Sequence, residues 1–478
     1  MKKLKTFRLS RTVFLLYVLT GFTAFGQSFA TLGLFNGSNG SAPGDVSLVQ
    51  GFDGNFYGTT FSGGATNAGV IYNVSPSGTL TRLYSFCGGD NCATGDFAEG
   101  SLALAANGDF YGTNENGGNF QGGTIFRFAS HGPATDFYNF CSLTNCDDGV
   151  APNFGIIQAD DGNFYGTASR GGVNGNATGT VFKIAPDGAF TLLYSFCSQP
   201  NCADGFGPQG LVQGTDGNFY GSTMFGGANR YGTAYRITRN GVFTVLHNFC
   251  GLASCAGTPS AAFIQGSDGN FYGTSSITIF KMTAAGAITK LADFCSHGSC
   301  PSGDLLSGGL IQGSDGNFYG TAQFGGANGR GTVFQMTPSG TVTTLYNFCP
   351  VAGCADGSGP IGGVVQGTDG NLYGTTSSGG INGLNCFECG TVYSVSLGLS
   401  PFVRTVPTSG KATQTINLLG QGFTGATSVT FNGLAASFTV DSDVHLAATV
   451  PAGATSGIVT VTTPGGPIST IVPFQVRP

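Results

Sequence analysis

From Gly210 the chain reads G-L-V-Q-G-T-D-G-N-F-Y-G-S-T, passes a Gly-rich stretch, and continues G-T-A-Y-R-I-T-R-N-G-V-F-T-V-L-H-N-F-C to Cys250. Short runs rich in Val, Ile, Thr, Tyr and Phe alternate there with turn residues, which predicts four short β-strands. Strand a (Leu211 to Gln213) meets strand b (Phe219 to Thr223) through Asp216-Gly217, and strand c (Thr233 to Ile237) meets strand d (Phe243 to Asn248) through Asn240-Gly241. Asp-Gly and Asn-Gly are the strongest short hairpin signals, because both residues can take positive φ.

The block recurs. Its D-G-N-F-Y-G string places a tyrosine at Tyr57, Tyr111, Tyr165, Tyr220, Tyr272, Tyr319 and Tyr373, spaced 54, 54, 55, 52, 47 and 54 residues apart. Two hairpins per copy and seven copies of about 53 residues predict a seven-bladed β-propeller with one four-stranded sheet per blade. The segment A-T-L-G-L-F from Ala30 resembles a strand d with no strand c before it, whereas the seventh copy has only Leu397 to Val403 as a weak strand d. The N-terminal segment is therefore expected to complete the last blade. Such a clasp removes the unpaired edges of an open ring.

Composition agrees with an all-β reading. Glycine supplies 83 of 478 residues, and only 9% are charged. Helices of ordinary length are disfavoured, since each interior Gly costs about 1 kcal/mol relative to Ala. Disorder is disfavoured by 41 Phe and 16 Tyr. Residues 1–30 read as a secretory signal peptide: Lys2, Lys3, Lys5, Arg8 and Arg11 precede an apolar run from Val13 to Phe25 that is short for a membrane span. Small residues allow cleavage after Gly26 or after Ala30, and an uncleaved anchor is the rival reading. Without the five basic residues the chain holds 13 Lys and Arg against 24 Asp and Glu, a formal charge near −11. Nucleic acid and anionic lipid are poor partners for it, and no membrane span is expected in the mature chain.

The motifs D-G-N-F-Y-G-T-T and G-T-V-F-K-I-x-P-x-G-x-x-T-x-L-Y-x-F resemble those of the GloVer-type (Gloeobacter/Verrucomicrobia) tandem-repeat proteins, over roughly residues 31–400. The resemblance implies a secreted or cell-surface repeat protein and carries over no catalytic residue. From Ser400 the period and the cysteines vanish. I-N-L-L-G-Q-G-F from Ile416, V-T-F-N-G from Val429 and V-T-V-T-T-P-G-G from Val459 are similar to IPT/TIG domains, which are small Ig-like sandwiches. The expected organisation is a leader at 1–30, a propeller at 31–399 and an Ig-like domain at 400–478.

Fourteen cysteines fall into local pairs: Cys87/Cys92, Cys141/Cys146, Cys197/Cys202, Cys250/Cys255, Cys295/Cys300, Cys349/Cys354 and Cys386/Cys389. Export to an oxidising compartment makes disulfides the expected state. Zinc needs four ligands at one centre, and pairs a blade apart do not supply them. Cys386-Phe387-Glu388-Cys389 has redox spacing, but it falls between strands rather than at the start of a helix. No cofactor and no metal are expected.

Strand alternation puts the a–b and c–d turns on one face. The disulfide loops and the Gly-Gly loops (Gly63-Gly64, Gly117-Gly118, Gly171-Gly172, Gly226-Gly227, Gly325-Gly326, Gly379-Gly380) fall on the other, which is the better candidate for binding. Strand a carries Gln50, Gln158, Gln213, Gln265, Gln312 and Gln366, with Leu104 in copy two. These amides either ring the channel for a polar ligand or hydrogen-bond within their own blades. The repeated Tyr either stacks a sugar or packs between blades. Asp53, Asp216, Asp268, Asp315 and Asp369 suit Asp-Gly turns without calcium. His131, His247, His297 and His445 are out of phase with the repeat, and Glu99 with Glu115 is thin support for glycosidase chemistry. The expectation is a non-catalytic exported binding or scaffold protein whose partner is an unidentified protein or polysaccharide. The alternative is a carbohydrate-active lyase or hydrolase with its site over the channel.

Overall fold

The computed structural model describes residues 27–477 apart from 45–46, 88–91, 93–94, 131, 176, 251–256, 296–299 and 381–388. Of the expected leader, only residues 27–30 fall inside that range.

Each D-G-N corner forms for local reasons. In the fourth copy Gly217 takes φ +82° and donates its N–H to the Gly214 carbonyl at 2.8 Å. The Asp216 carboxylate accepts from the Asn218 N–H at 3.1 Å and from the Tyr220 hydroxyl at 2.9 Å. One side chain thus closes the turn and fixes the first tyrosine of strand b.

The strands this corner joins are Val212–Gln213 (a), Phe219–Phe225 (b), Thr233–Ile237 (c) and Phe243–Asn248 (d), hydrogen-bonded antiparallel in chain order. Among the described residues seven such units follow one another, the first being Val49–Gln50, Phe56–Ser62, Val70–Val74 and Leu80–Ser85. In units 1 and 4 a short strand, Ser41–Pro43 or Phe206–Pro208, adds to the far end of strand b. The seventh unit is Val365–Gln366, Leu372–Thr376 and Thr391–Ser396, and its fourth strand is the N-terminal segment Ser28–Leu34, which pairs antiparallel with Thr391–Ser396. That strand starts at Ser28 rather than Ala30. Phe29 explains the difference, because its ring stacks on Tyr346 at 3.8 Å and lies against Phe348 and Tyr393. Leu397 to Val403 forms no strand.

The core lies between sheets. The repeated tyrosine stacks on the strand-b phenylalanine of the next unit: Tyr57 on Phe110 (4.2 Å), Tyr165 on Phe219 (4.0 Å), Tyr220 on Phe271 (4.0 Å) and Tyr373 on Phe56 (3.9 Å). The last contact joins unit 7 to unit 1, and around it Phe35, Phe56, Tyr72, Tyr373 and Val392 form one buried cluster.

Residues beyond 402 have a separate core containing Ile416, Leu418, Phe431, Leu446, Val459, Val461 and Phe474. Arg404–Val406, Thr415–Leu419, His445–Thr449 and Phe438–Val440 make one sheet; Leu434–Ala436, Ser428–Phe431, Val459–Thr463 and Gly466–Ser469 make a second. Ser409–Lys411 pairs in parallel with Gln475–Arg477. Among the described residues there is no α-helix, and no helix is long and apolar enough to cross a membrane.

Candidate functional site

On the long-loop face the disulfides Cys87–Cys92, Cys141–Cys146, Cys197–Cys202, Cys295–Cys300 and Cys349–Cys354 are formed. Cys250 and Cys389 are also disulfide-bonded, while Cys255 and Cys386 lie outside the described residues. Each of the five loops closed by the first-named disulfides rests on a Gly-Gly pair. The second glycine donates its N–H to the carbonyl of the pair's second cysteine: Gly118 to Cys92 (2.9 Å), Gly172 to Cys146 (3.0 Å), Gly227 to Cys202 (2.9 Å), Gly326 to Cys300 (3.0 Å) and Gly380 to Cys354 (2.9 Å). The first glycine is obligatory as well. Gly226 sits at φ +75°, and a Cβ there would come 2.7 Å from the Cys202 carbonyl oxygen.

Three carboxylates, those of Asp148 and Asp204 fully buried and that of Asp356 half-buried, hold these loops from inside. Asp204, fully buried, accepts from the Tyr194 hydroxyl (2.7 Å), the Ser198 N–H (2.9 Å) and the Ser198 hydroxyl (3.0 Å). Asp148 does the same with Tyr138 and Ser142, and Asp356 takes Tyr346 and the Cys349 N–H. Burial, with the adjacent carboxylate, pushes the Tyr194 hydroxyl far above the ordinary phenol range. Sequence reasoning missed these residues. Their signal was available in C-x-D-G, at Cys146 to Gly149, Cys202 to Gly205 and Cys354 to Gly357.

This stapled face exposes aromatic side chains. Phe225 and Phe324 occupy one repeat position, immediately before Gly-Gly, and are both 47% exposed; Phe61 lies one place earlier in its unit and is 37% exposed. Phe61 packs beside Phe97 at 4.8 Å and Phe225 beside Phe206 at 5.3 Å. Phe120 and Tyr231 are exposed in the b–c loops of units 2 and 4. In unit 2 the carboxyl of Asp96 is raised above its ordinary range by burial, with Glu115 adding to the effect. Glu99 lies in the same connection.

The opposite face holds the glutamines. Each amide joins two units: the Gln50 carbonyl accepts from the Thr368 N–H (3.0 Å), Gln158 from Ala106 (2.8 Å), Gln213 from Asp160 (3.1 Å), Gln265 from Thr215 (2.9 Å), Gln312 from Ser267 (2.7 Å) and Gln366 from Ser314 (2.9 Å). Their NH2 groups donate to the carbonyl of the glycine in their own D-G-N turn, as Gln50 does to Gly54 at 3.2 Å. The six amides are occupied in tying units together. Asp53, Asp216, Asp268, Asp315 and Asp369 each accept from the tyrosine hydroxyl of their own unit, at 2.6–2.9 Å.

The repeating corner and the tyrosine stack share one period, and a profile of the Gloeobacter/Verrucomicrobia repeat matches residues 18–203 and again 198–393. The chain belongs to the Gloeobacter/Verrucomicrobia repeat family. None of the curated proteins matches this member of the family. Among solved structures, the extracellular domain of a hybrid two-component system from B. thetaiotaomicron is 10% identical, with a TM-score of 0.50 over 91% of this chain and 53% of that one. A second such domain from B. thetaiotaomicron is 10% identical with a TM-score of 0.48, over 90% and 57% of the two chains. A gluconolactonase from Xanthomonas campestris is 11% identical with a TM-score of 0.37, over 64% and 86%. The repeat chain thus spans little more than half the length of the two-component domains it matches. At these identities the likeness is one of propeller-like fold alone.

Proposed function

We propose that the chain is an exported, non-catalytic binding protein: a seven-bladed propeller over about residues 31–399 followed by an Ig-like IPT/TIG domain over 400–478, offering its stapled loop face to a protein or polysaccharide at or outside the cell surface. The observation that carries the reading is the combination on one face of rigid loops and exposed aromatics. Phe225 ends its strand against a loop held by the Cys197–Cys202 disulfide, the Gly227–Cys202 hydrogen bond and the buried Asp204 carboxylate; Phe324 precedes the Gly-Gly pair that bonds the Cys295–Cys300 loop, and Phe61 precedes one bonded to Gly37. A surface fixed in advance loses little conformational entropy on binding. The disulfides support an oxidising, extracytoplasmic location.

A second reading, a carbohydrate-active lyase or hydrolase, is favoured by the raised carboxyl of Asp96 near Glu115. One experiment separates the two. The purified protein is screened against glycans and polysaccharides for retention and for product release. Retention that falls at least tenfold in Phe225→Ser, without turnover, supports binding; turnover abolished by Glu115→Gln replaces it with the enzyme.

A further inference from the structure

We propose that the C-terminal unit is a fixed cap across the tight-turn mouth of the ring, seated on one repeat position and held there by Asp160. This rests on the seven-unit ring proposed above.

Every repeat has a residue two places after the strand-a Gln or Leu, at the inner corner of the a–b turn. In chain order these are Phe52, Ala106, Asp160, Thr215, Ser267, Ser314 and Thr368. Five of the seven touch the C-terminal unit. The Thr368 carbonyl accepts from the Phe402 N–H at 3.1 Å, and its hydroxyl meets the Gln421 amide at 3.0 Å. The Phe52 ring stacks on the His445 imidazole at 4.5 Å. The Ala106 carbonyl accepts from the Asn417 amide at 2.8 Å. Arg477 reaches Asp160 at 2.7 Å and the Thr215 carbonyl at 3.3 Å. The untouched corners, Ser267 and Ser314, belong to the adjacent units 5 and 6.

Units 7, 1, 2, 3 and 4 are consecutive, and in a ring of seven, units 7 and 4 stand on opposite sides. A single body that reaches both crosses the axis. It also leaves the long-loop face as the approach to the channel, the face on which the exposed aromatics lie.

Asp160 is the chief symmetry-breaking residue. The other corners carry no charge, whereas its side chain is 2% exposed and meets Arg239, Arg477 and the Gln213 amide. A carboxylate at that depth is retained only with cationic partners, and one of its two comes from the C-terminal unit.

The chain has no tryptophan. Phe52→Trp in the full-length protein therefore gives a single reporter under His445. Capping predicts weak acrylamide quenching of this tryptophan. Adding Arg477→Ser, which leaves the Asp160–Arg239 pair intact, is expected to raise the quenching constant at least threefold; Asp160→Ser, the residue type of units 5 and 6, is expected to act in the same direction. Quenching as free as that of a tryptophan amide in solution, or no change in either variant, overturns the proposal. Hydrogen exchange on the unsubstituted chain guards against disturbance by the reporter: slow exchange at Phe402, accelerated at least tenfold by Arg477→Ser, is expected, and fast exchange there before any substitution refutes the cap. Exchange at Phe29 to Thr31 tests ring closure separately. A protected seam with a freely exchanging Phe402 rejects the cap and leaves the ring, whereas a freely exchanging seam rejects the ring.

Discussion

Unit 4 contains two buried tyrosines for which the same substitution has opposite expected effects. Tyr235, on strand c, is fully buried, and its hydroxyl has no hydrogen-bond partner. Units 2, 3, 5 and 6 place Phe126, Phe182, Phe280 and Phe334 at the equivalent position. An unpaired buried hydroxyl costs about 1–3 kcal/mol of desolvation. Deleting it leaves a void of roughly 10 Å³, worth only about 0.2 kcal/mol. The ring itself remains packed on Gly221, where a Cβ would approach its hydroxyl oxygen to 2.5 Å. Tyr235→Phe is thus expected to stabilise by about 1–2 kcal/mol, a rise in Tm of about 2 °C for a body of this size. Tyr220→Phe removes a hydroxyl that donates to Asp216 at 2.9 Å and whose pKa is pushed up to about 12, by burial first and then by that carboxylate. It is expected to destabilise by about 1 kcal/mol. Equilibrium guanidinium unfolding followed by far-UV circular dichroism measures both, with equal m-values as the condition for comparing midpoints. Destabilisation by Tyr235→Phe of 1 kcal/mol or more refutes the reasoning, because the hydroxyl then has a partner.

Gly226→Ala forces a Cβ into a left-handed backbone and against the Cys202 carbonyl, so a loss of about 2 kcal/mol or more is expected in the same unfolding assay. Phe29→Ala strips the stacked ring from the closing strand and should cost about 2 kcal/mol. Cleavage of a leader after Ala30 would remove the same ring, so N-terminal sequencing of the exported protein is expected to begin at Gln27 rather than Thr31. Burial holds the His445 imidazole below its ordinary range, outweighing the attraction of Asp441. The unfolded imidazole then takes its proton first, so stability falls as pH drops below about 6.5 until the folded imidazole is protonated too. Denaturation midpoints across pH 4–8 check this, and His445→Gln should flatten that part of the profile. Asp160 adds a second, more acidic limb. Burial alone would raise its carboxyl, but Gln213, Arg239 and Arg477 together hold it below the usual range. Its contribution is present above about pH 4 and lost as pH falls through the lowered value.

Sequence alone determined whatever depends on local chemistry repeated in phase. The D-G-N corner, the a–b and c–d hairpins and the cysteine pairing each involve partners a few residues apart, so the same instruction is printed in at least six of the seven copies. The tyrosine was also readable as an inter-unit contact, because a residue present in every copy faces the same neighbour each time. Tertiary structure alone decided what the departures from the repeat do. Asp160, Phe52 and Ala106 look like tolerated variation at a turn, and their use emerges only when Arg477, His445 and Asn417, more than 300 residues away along the chain, are brought against them. The glutamines show the same division: their place on strand a was legible, but the acceptor role of each carbonyl depends on a backbone N–H one unit back, and for Gln50 that unit is the seventh. Local propensity selects turns and strands; which edges and corners meet is set by packing between units, and a single repeat carries no record of it.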